Sequence, residues 1–365
     1  MLRNIVKLGE LTLWSKYRDQ ELSRHTLRDL FWECTLTCNA ACKHCGSNAG
    51  RHPYTDELTT EEIKNVFTQI ARDMDSGKIL ISVTGGEPLL RADLCHVMGY
   101  ASDLGFRWGM TTNGILLDKN NIDKLKAAKM ETISISLDGL EETHNSFRGV
   151  AKSYTTILEN IARLREAGFV KHIQVTTIFH QGNIDEIEAL YAVICGLNLD
   201  SWRLAPMDPI GRGKLNNNLL LSGTEIKIIL DFIKTHNRKG SLRLSYGCPG
   251  FLGLDYEKDV RGYYFNCRTG INTASILHTG DIFVCPNVPR NKDLIQGNVR
   301  EDTFAEVWNH RYKAFRTKDR TQCDICTACE FWDYCLGGAF HTWDTDESKQ
   351  NQCPYIMMLE GDVDQ

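Results

Sequence analysis

The chain has 365 residues, of which 42% are hydrophobic and 24% charged, with a formal net charge of −5 at neutral pH. These values exclude a disordered polar chain and a basic nucleic-acid-binding surface, and the length predicts more than one domain. The first 25 residues scatter their charges and hold no continuous apolar run of secretory or membrane-spanning length, so a cytoplasmic protein without membrane attachment is expected. In such a reducing compartment fourteen cysteines, many only two to five residues apart, read as metal ligands and not as a disulfide framework.

From about residue 30 to 206 short β-rich runs alternate with amphipathic stretches, the pattern of βαβ units and a parallel sheet. Strands are predicted at 30–35, 79–84, 106–112, 132–137, 172–179 and 202–206, six in all and too few for a complete eight-stranded barrel. Thr59 and Glu62 form a capping-box pattern ahead of Ile63, Val66, Phe67, Ile70 and Met74 at helical spacing, with Gly77 as the stop. A later helix carries Ile157, Leu158, Ile161 and Leu164 and ends near Gly168. The polar run 211–218 reads as a linker, followed by a bridging helix with Ile226, Ile229, Leu230 and Ile233 on one face. The expected division is an N-terminal extension (1–24), a first domain (25–215), a bridging region (216–245) and a cysteine-rich domain (246–365). The last has little helical periodicity and is expected to fold around metal more than around an apolar core.

Cys38, Cys42 and Cys45 stand on one loop directly after the first predicted strand. Three thiolates hold three irons of a cubane and leave the fourth iron open for chemistry, whereas an electron-carrying cluster normally takes four cysteines. Zinc is the alternative, but structural zinc closes at four ligands, and His44 stands between two of the thiols. After the second strand comes Thr84-Gly85-Gly86-Glu87-Pro88, where glycines permit close backbone approach and a carboxylate can accept from an ammonium group.

The C-x3-C-x2-C triplet with GGEP one βα unit later resembles the radical S-adenosylmethionine (SAM) superfamily. In that family the open iron chelates the amino and carboxylate groups of SAM, and reduction cleaves the sulfonium to a 5′-deoxyadenosyl radical. The resemblance implies a partial (β/α)6 TIM-like barrel with its ligands at the strand ends. It places Gly85, Gly86, Glu87 and Pro88 at the methionine amine, with Glu87 acting through backbone and side chain. Asn113 lies in the next strand-end segment, Ser136 and Asp138 approach the ribose or carboxylate, and the backbone at Ala205 faces the adenine. Ordinary turn and cap chemistry is the competing reading for these weaker segments. Arg212 could meet an acidic substrate group, but an exposed linker arginine needs no such role.

Cys248, Cys267, Cys285, Cys323, Cys326, Cys329, Cys335 and Cys353 supply the eight thiolates that two fully ligated 4Fe–4S clusters require. Cys34, Cys95 and Cys195 remain and read as buried small hydrophobes. Cys267, Gly280 and Cys285, followed by Cys326, Cys329 and Cys335, resemble the SPASM domain of peptide-modifying radical SAM enzymes. The pattern departs at Ala339, where a cysteine is expected, and adds Cys323 upstream. One partition gives Cys248, Cys267, Cys285 and Cys323 to one auxiliary cluster and Cys326, Cys329, Cys335 and Cys353 to the other. A crossed set, or a cluster with an open iron or with His341 as ligand, also fits. The stretch 267–298 resembles a SPASM subgroup encoded beside small lipoproteins in Bacteroidetes.

The resemblance implies a peptide maturase. Its reductant would be a flavodoxin or ferredoxin, and its substrate a peptide or protein captured by the SPASM region or by a separate recognition protein, since with about thirty residues ahead of the barrel a recognition domain is not expected there. Formylglycine generation, as in sulfatase-maturing relatives, is disfavoured because Pro286 stands where those relatives carry an aspartate base. A non-catalytic iron–sulfur carrier would not need the open-iron triplet or GGEP. The general base is not assigned by the sequence.

Overall fold

In the computed structural model, residues 2–238, 240, 242–317, 324–344, 349–350 and 352–361 are described. The strands are β1 (Asp29–Thr35), β2 (Leu80–Gly85), β3 (Arg107–Thr112), β4 (Thr132–Ser136), β5 (His172–Phe179), β6 (Ser201–Pro206), β7 (Arg243–Tyr246), β8 (Thr273–Ile276), β9 (Asp281–Phe283) and β10 (Gly297–Asn298). The longer helices are α1 (Leu2–Arg24), α2 (Thr60–Asp73), α3 (Leu94–Asp103), α4 (Lys119–Ala127), α5 (Glu141–Arg148), α6 (Ser153–Ala167), α7 (Ile187–Gly196) and α8 (Gly223–His236).

The six expected strands pair in parallel in chain order, as the βα alternation predicts. The sheet then extends at both edges. β7 adds in parallel to β6 and β8 in parallel to β1, and β8, β9 and β10 continue as an antiparallel meander. The cysteine-rich part is thus continuous with the barrel sheet.

Alternation along each strand divides the two faces. On β5, Ile173, Val175, Thr177 and Phe179 are buried toward the helices, while His172, Gln174, Thr176 and Ile178 are only half-buried on the other face. Trp32 of β1 meets Phe67 of α2 edge-on, with ring centroids 5.7 Å apart. The inner face is polar: Ser134 and Thr176 share a hydrogen bond of 2.9 Å, and Gln174 donates to Ser134 at 3.1 Å. An apolar shell around a hydroxyl-lined interior suits a barrel that admits a polar ligand.

The predicted capping box at α2 is present in both directions, with Thr59 N–H donating to Glu62 at 2.7 Å and Glu62 N–H to Thr59 Oγ1 at 3.3 Å. α2 stops at Asp73, four residues before Gly77, because Met74 already leaves the helix with extended backbone. α6 ends at Gly168 as expected.

One feature was not foreseen and two expectations need correction. The N-terminal segment is a helix docked on the far end of the chain: Leu11 packs with Phe251, Tyr264 and Phe331, and Arg18 donates to the carbonyls of Asp333 and Tyr334 at 3.0 and 2.8 Å. The cysteine-rich part has a substantial apolar core, because Ile276, Ile282, Phe283, Phe304, Val307, Trp308 and Tyr312 join the main core of the barrel. Those residues come from short elements, so no long period announces them. Finally, 211–219 forms a tight 3-10 turn against the cysteine-triplet loop and is no free linker.

Candidate active site

The loop after β1 is strapped on every side. Cys38 N–H donates to Gly50 O at 2.7 Å, and Ala41 and Lys43 donate to the carbonyls of Arg148 and Phe147, each at 3.0 Å. Those carbonyls are orphans of the last turn of α5, so the loop caps that helix while the helix fixes the loop. Arg212 closes the other side, donating to Cys42 O and Ala49 O at 2.7 Å each. Arg212 therefore braces the loop, and neither the substrate-binding nor the exposed-linker expectation describes it.

Cys38 and Cys42 are only 8% and 7% exposed, with Cys45 half-buried beside them. Burial pushes the Cys38 thiol up to about 11, so the thiolate form needs a compensating positive centre, which iron supplies. Three soft donors on one fixed loop fit a cubane with an open corner. Among the described residues no three His, Cys, Asp or Glu side chains converge on a single metal ion. His44 instead stacks on Phe147, with centroids 4.6 Å apart, and burial holds its pKa down to about 3.

Gly85, Gly86, Glu87 and Pro88 follow β2 at the same end of the barrel. A Cβ on Gly85 or Gly86 would lie 2.1 or 2.2 Å from the carbonyl oxygens of Thr35 and Thr37. The glycines thus admit the end of β1, with Gly86 N–H and Glu87 N–H donating to those two oxygens at 2.7 and 2.9 Å. The Glu87 side chain is fully buried and turned away from the cavity: its oxygens accept from Thr112 Oγ1 and Asn113 N–H at 2.8 Å each and from Leu89 N–H at 3.2 Å. The Glu87 carboxylate is thus engaged by donors at the ends of β2 and β3. Asn113 in turn donates to Asn39 Oδ1 inside the cysteine triplet at 2.7 Å.

Asp138 is also fully buried. Its Oδ1 accepts from Ile178 N–H at 2.8 Å and its Oδ2 from Arg148 Nε at 2.6 Å, so its side chain is held inside the protein. Ser136 lies half-buried on the cavity side of β4, and Ala205 has the same position on β6, beside Gly247. The predicted residues thus gather at one end of the sheet, and two of them prove to be supports.

In the cysteine-rich part Cys248, Cys267 and Cys285 fall within electrostatic range of one another. Cys329 and Cys335 pack beside Phe331, Cys326 beside Trp332, and Tyr355 lies near both Cys329 and Cys353. Cys323 lies outside the described residues. Cys34 is fully buried and Cys95 half-buried, but Cys195 is exposed, against expectation. It stands on the outer face of α7, where an apolar neighbourhood in sequence does not imply burial.

Two further groups went unnoticed in the sequence. Asp208, just beyond β6, faces His341 from the cysteine-rich part, with Nε2 3.7 Å from Oδ2, while its Oδ1 is closed from solvent and without a partner. Its segment touches the triplet loop, where Arg212 N–H donates to Cys45 O at 3.0 Å, and burial raises the Asp208 pKa. A carboxylate two residues past a barrel strand was the available signal. Likewise Glu33, buried on the cavity side of β1, accepts from His278 Nδ1 at 2.9 Å and pairs with Arg290, which also reaches Ser47 on the triplet loop.

Residues 32–194 match the radical SAM superfamily, and residues 267–330 match the SPASM iron–sulfur cluster-binding domain. The chain thus carries a radical SAM domain followed by a SPASM domain. This radical SAM–SPASM enzyme is 28% identical to an AdoMet-dependent heme synthase of Nitratidesulfovibrio vulgaris, over 86% of the chain and 87% of that protein. It is 26% identical to mycofactocin maturase MftC of Mycolicibacterium smegmatis, over 85% of the chain and 77% of the relative. Streptococcus suis SuiB bound to SAM shares its fold, with a TM-score of 0.68 at 18% identity, covering 92% of this chain and 79% of SuiB. The cofactors are SAM and 4Fe–4S clusters. Among the described residues no helix is long and apolar enough to cross a membrane.

Proposed function

We propose that the chain is a peptide maturase that modifies a peptide or protein segment lying between the barrel mouth and the SPASM domain. Cys38, Cys42 and Cys45 hold the SAM-binding cluster, and the eight cysteines from Cys248 to Cys353 hold two auxiliary clusters. When bound and reduced by a flavodoxin or ferredoxin, the first cluster with SAM supplies a 5′-deoxyadenosyl radical that abstracts hydrogen. The protein's own contribution is to place the substrate carbon and exclude water. Asp208, paired with His341, stands where a proton leaving the substrate can be taken. In that balance Asp208 would take the proton, while bound SAM would accept the hydrogen atom and the auxiliary clusters would supply an acceptor for the remaining electron.

The observation that carries this reading is the junction itself. The Asp208 segment touches the Cys45 loop at one end and meets His341 at the other, near Cys248. The hydroxyl-lined cavity face offers hydrogen bonds of the kind a peptide backbone takes. A second reading, modification of an iron tetrapyrrole, is favoured by the relative named as a heme synthase, which matches over 86% of the chain. The deciding assay adds either iron coproporphyrin III or peptides from the open reading frames beside the gene to the reduced, reconstituted protein with SAM. Peptide-stimulated 5′-deoxyadenosine with a mass change in the peptide supports the first reading. Conversion of the porphyrin with inert peptides overturns it.

A further inference from the structure

Beside β7 and a short helix, α9 (Glu257–Arg261), two adjoining grooves of about 640 and 320 Å³ run between the C-terminal end of α8 and the first turns of α1. Their walls carry six cations, Lys7, Lys234, Arg238, Arg243, Lys258 and Arg261, on a chain whose formal net charge is −5. Glu10 and Asp259 hold Lys258 and Lys234 at 2.7 and 3.4 Å, Asp255 lies 4.0 Å from Lys7, and Arg261 pairs with the buried Glu257. Arg238 and Arg243 are exposed and, among the described residues, stand outside these pairs, so the face keeps an excess of positive charge. On α1, Val6 at the groove and Leu13 and Tyr17 beyond it are exposed at spacings of seven and four residues, which puts them on one stripe. The floor of the smaller groove leads inward. Arg261, only 3% exposed, donates from Nε and Nη2 to Gly247 O at 3.2 and 3.0 Å, and the next residue is Cys248, within electrostatic range of Cys267 and Cys285.

We infer that this face docks an acidic one-electron carrier protein, which withdraws the electron left on the auxiliary cluster of Cys248 after each substrate oxidation. This rests on the reading that Cys248 ligates an auxiliary cluster. Opposite charges steer and orient an encounter, and on a chain of net negative charge a local cationic face is where an acidic partner is drawn. A basic rim beside an exposed apolar stripe suits the small, brief contact of electron transfer more than a permanent interface. Electron tunnelling falls steeply with distance, and a carrier seated over Arg261 has one hydrogen bond and one peptide unit between it and Cys248. In the exchange the cluster gives up one electron, and a flavin carrier takes that electron and a proton to become its neutral semiquinone.

The test mixes the reduced, reconstituted full-length enzyme with oxidised flavodoxin and follows the semiquinone by stopped-flow absorbance. The double variant Arg238→Glu with Arg243→Glu breaks none of the ion pairs above, and at low ionic strength its second-order rate constant is expected to fall about tenfold as steering is lost. Wild type should slow toward the variant as salt is raised, and Lys126→Glu on α4 should keep the wild-type rate. Oxidation by a small neutral quinone should be the same in all three. The same drop in a background lacking Cys38, Cys42 and Cys45, where only the auxiliary clusters hold electrons, supports exit through them. Loss of the effect in that background places the carrier at the first cluster and overturns the inference. An unchanged rate in the double variant, or a wild-type rate that salt does not slow, also overturns it. So does a dimeric wild type that becomes monomeric in the double variant, since the face is then an interface between copies. Cys248→Ala is read apart from these rates: if it leaves the auxiliary EPR signals unaltered, the ligand assignment is what fails.

Discussion

The buried carboxylate of Glu87 accepts the backbone N–H of Asn113 and the hydroxyl of Thr112 at 2.8 Å each, tying the end of β2 to the end of β3. Burial raises its pKa while those donors oppose the rise. Glu87→Gln keeps one acceptor oxygen and turns an amide N–H toward a donor. A loss of about 1–3 kcal/mol is expected, the cost of an unmatched buried hydrogen-bonding group. Urea midpoints of wild type and variant read this loss, and SAM affinity should weaken as well because Asn113 holds Asn39 in the triplet loop.

His144 gives a pH signature. It is 1% exposed, and burial pushes its pKa from 6.5 to about 4, so the folded protein binds its proton less readily than the unfolded chain. Below 6.5 the unfolded chain gains a proton that the folded state refuses, and stability falls with pH until about 4. At pH 5.5 this amounts to about 1 kcal/mol. His144→Asn should remove that part of the acid slope, measured as the difference in urea midpoint between pH 7.5 and 5.5. An identical slope in both proteins would assign the acid lability elsewhere.

Cys323 and Cys195 make a matched comparison. Three cubanes require about twelve irons per chain. Cys323→Ala should leave one auxiliary cluster with three thiolates, visible as an altered auxiliary EPR signal with the SAM-bound signal unchanged. Cys195→Ala, on the exposed end of α7, should alter neither. If the two variants behave alike, Cys323 is no ligand, and His341 becomes the next residue to replace.

The strand alternation, the capping box and the cysteine spacing were legible because each is a local pattern with one dominant cause. The sheet edges were not. β7 and β8 are four residues each, too short to declare a period, and they earn their place by pairing with β6 and β1. Glu87 and Asp138 show the same limit at the site. The motif brings them to the strand ends, but only tertiary packing reveals that each carboxylate is consumed by backbone and side-chain donors. Asp208 and His341 could not be joined from sequence, since their meeting depends on how the SPASM part returns to the barrel mouth.

The account turns most directly on whether the triplet loop is where SAM is cleaved. Reconstituted wild-type protein, reduced and supplied with SAM, should form 5′-deoxyadenosine. The Cys38, Cys42 and Cys45 triple alanine variant should keep about two thirds of the iron, as two remaining cubanes require, and form none. Cleavage that persists in that variant, or wild-type protein that carries zinc in place of iron and leaves SAM intact, would contradict it.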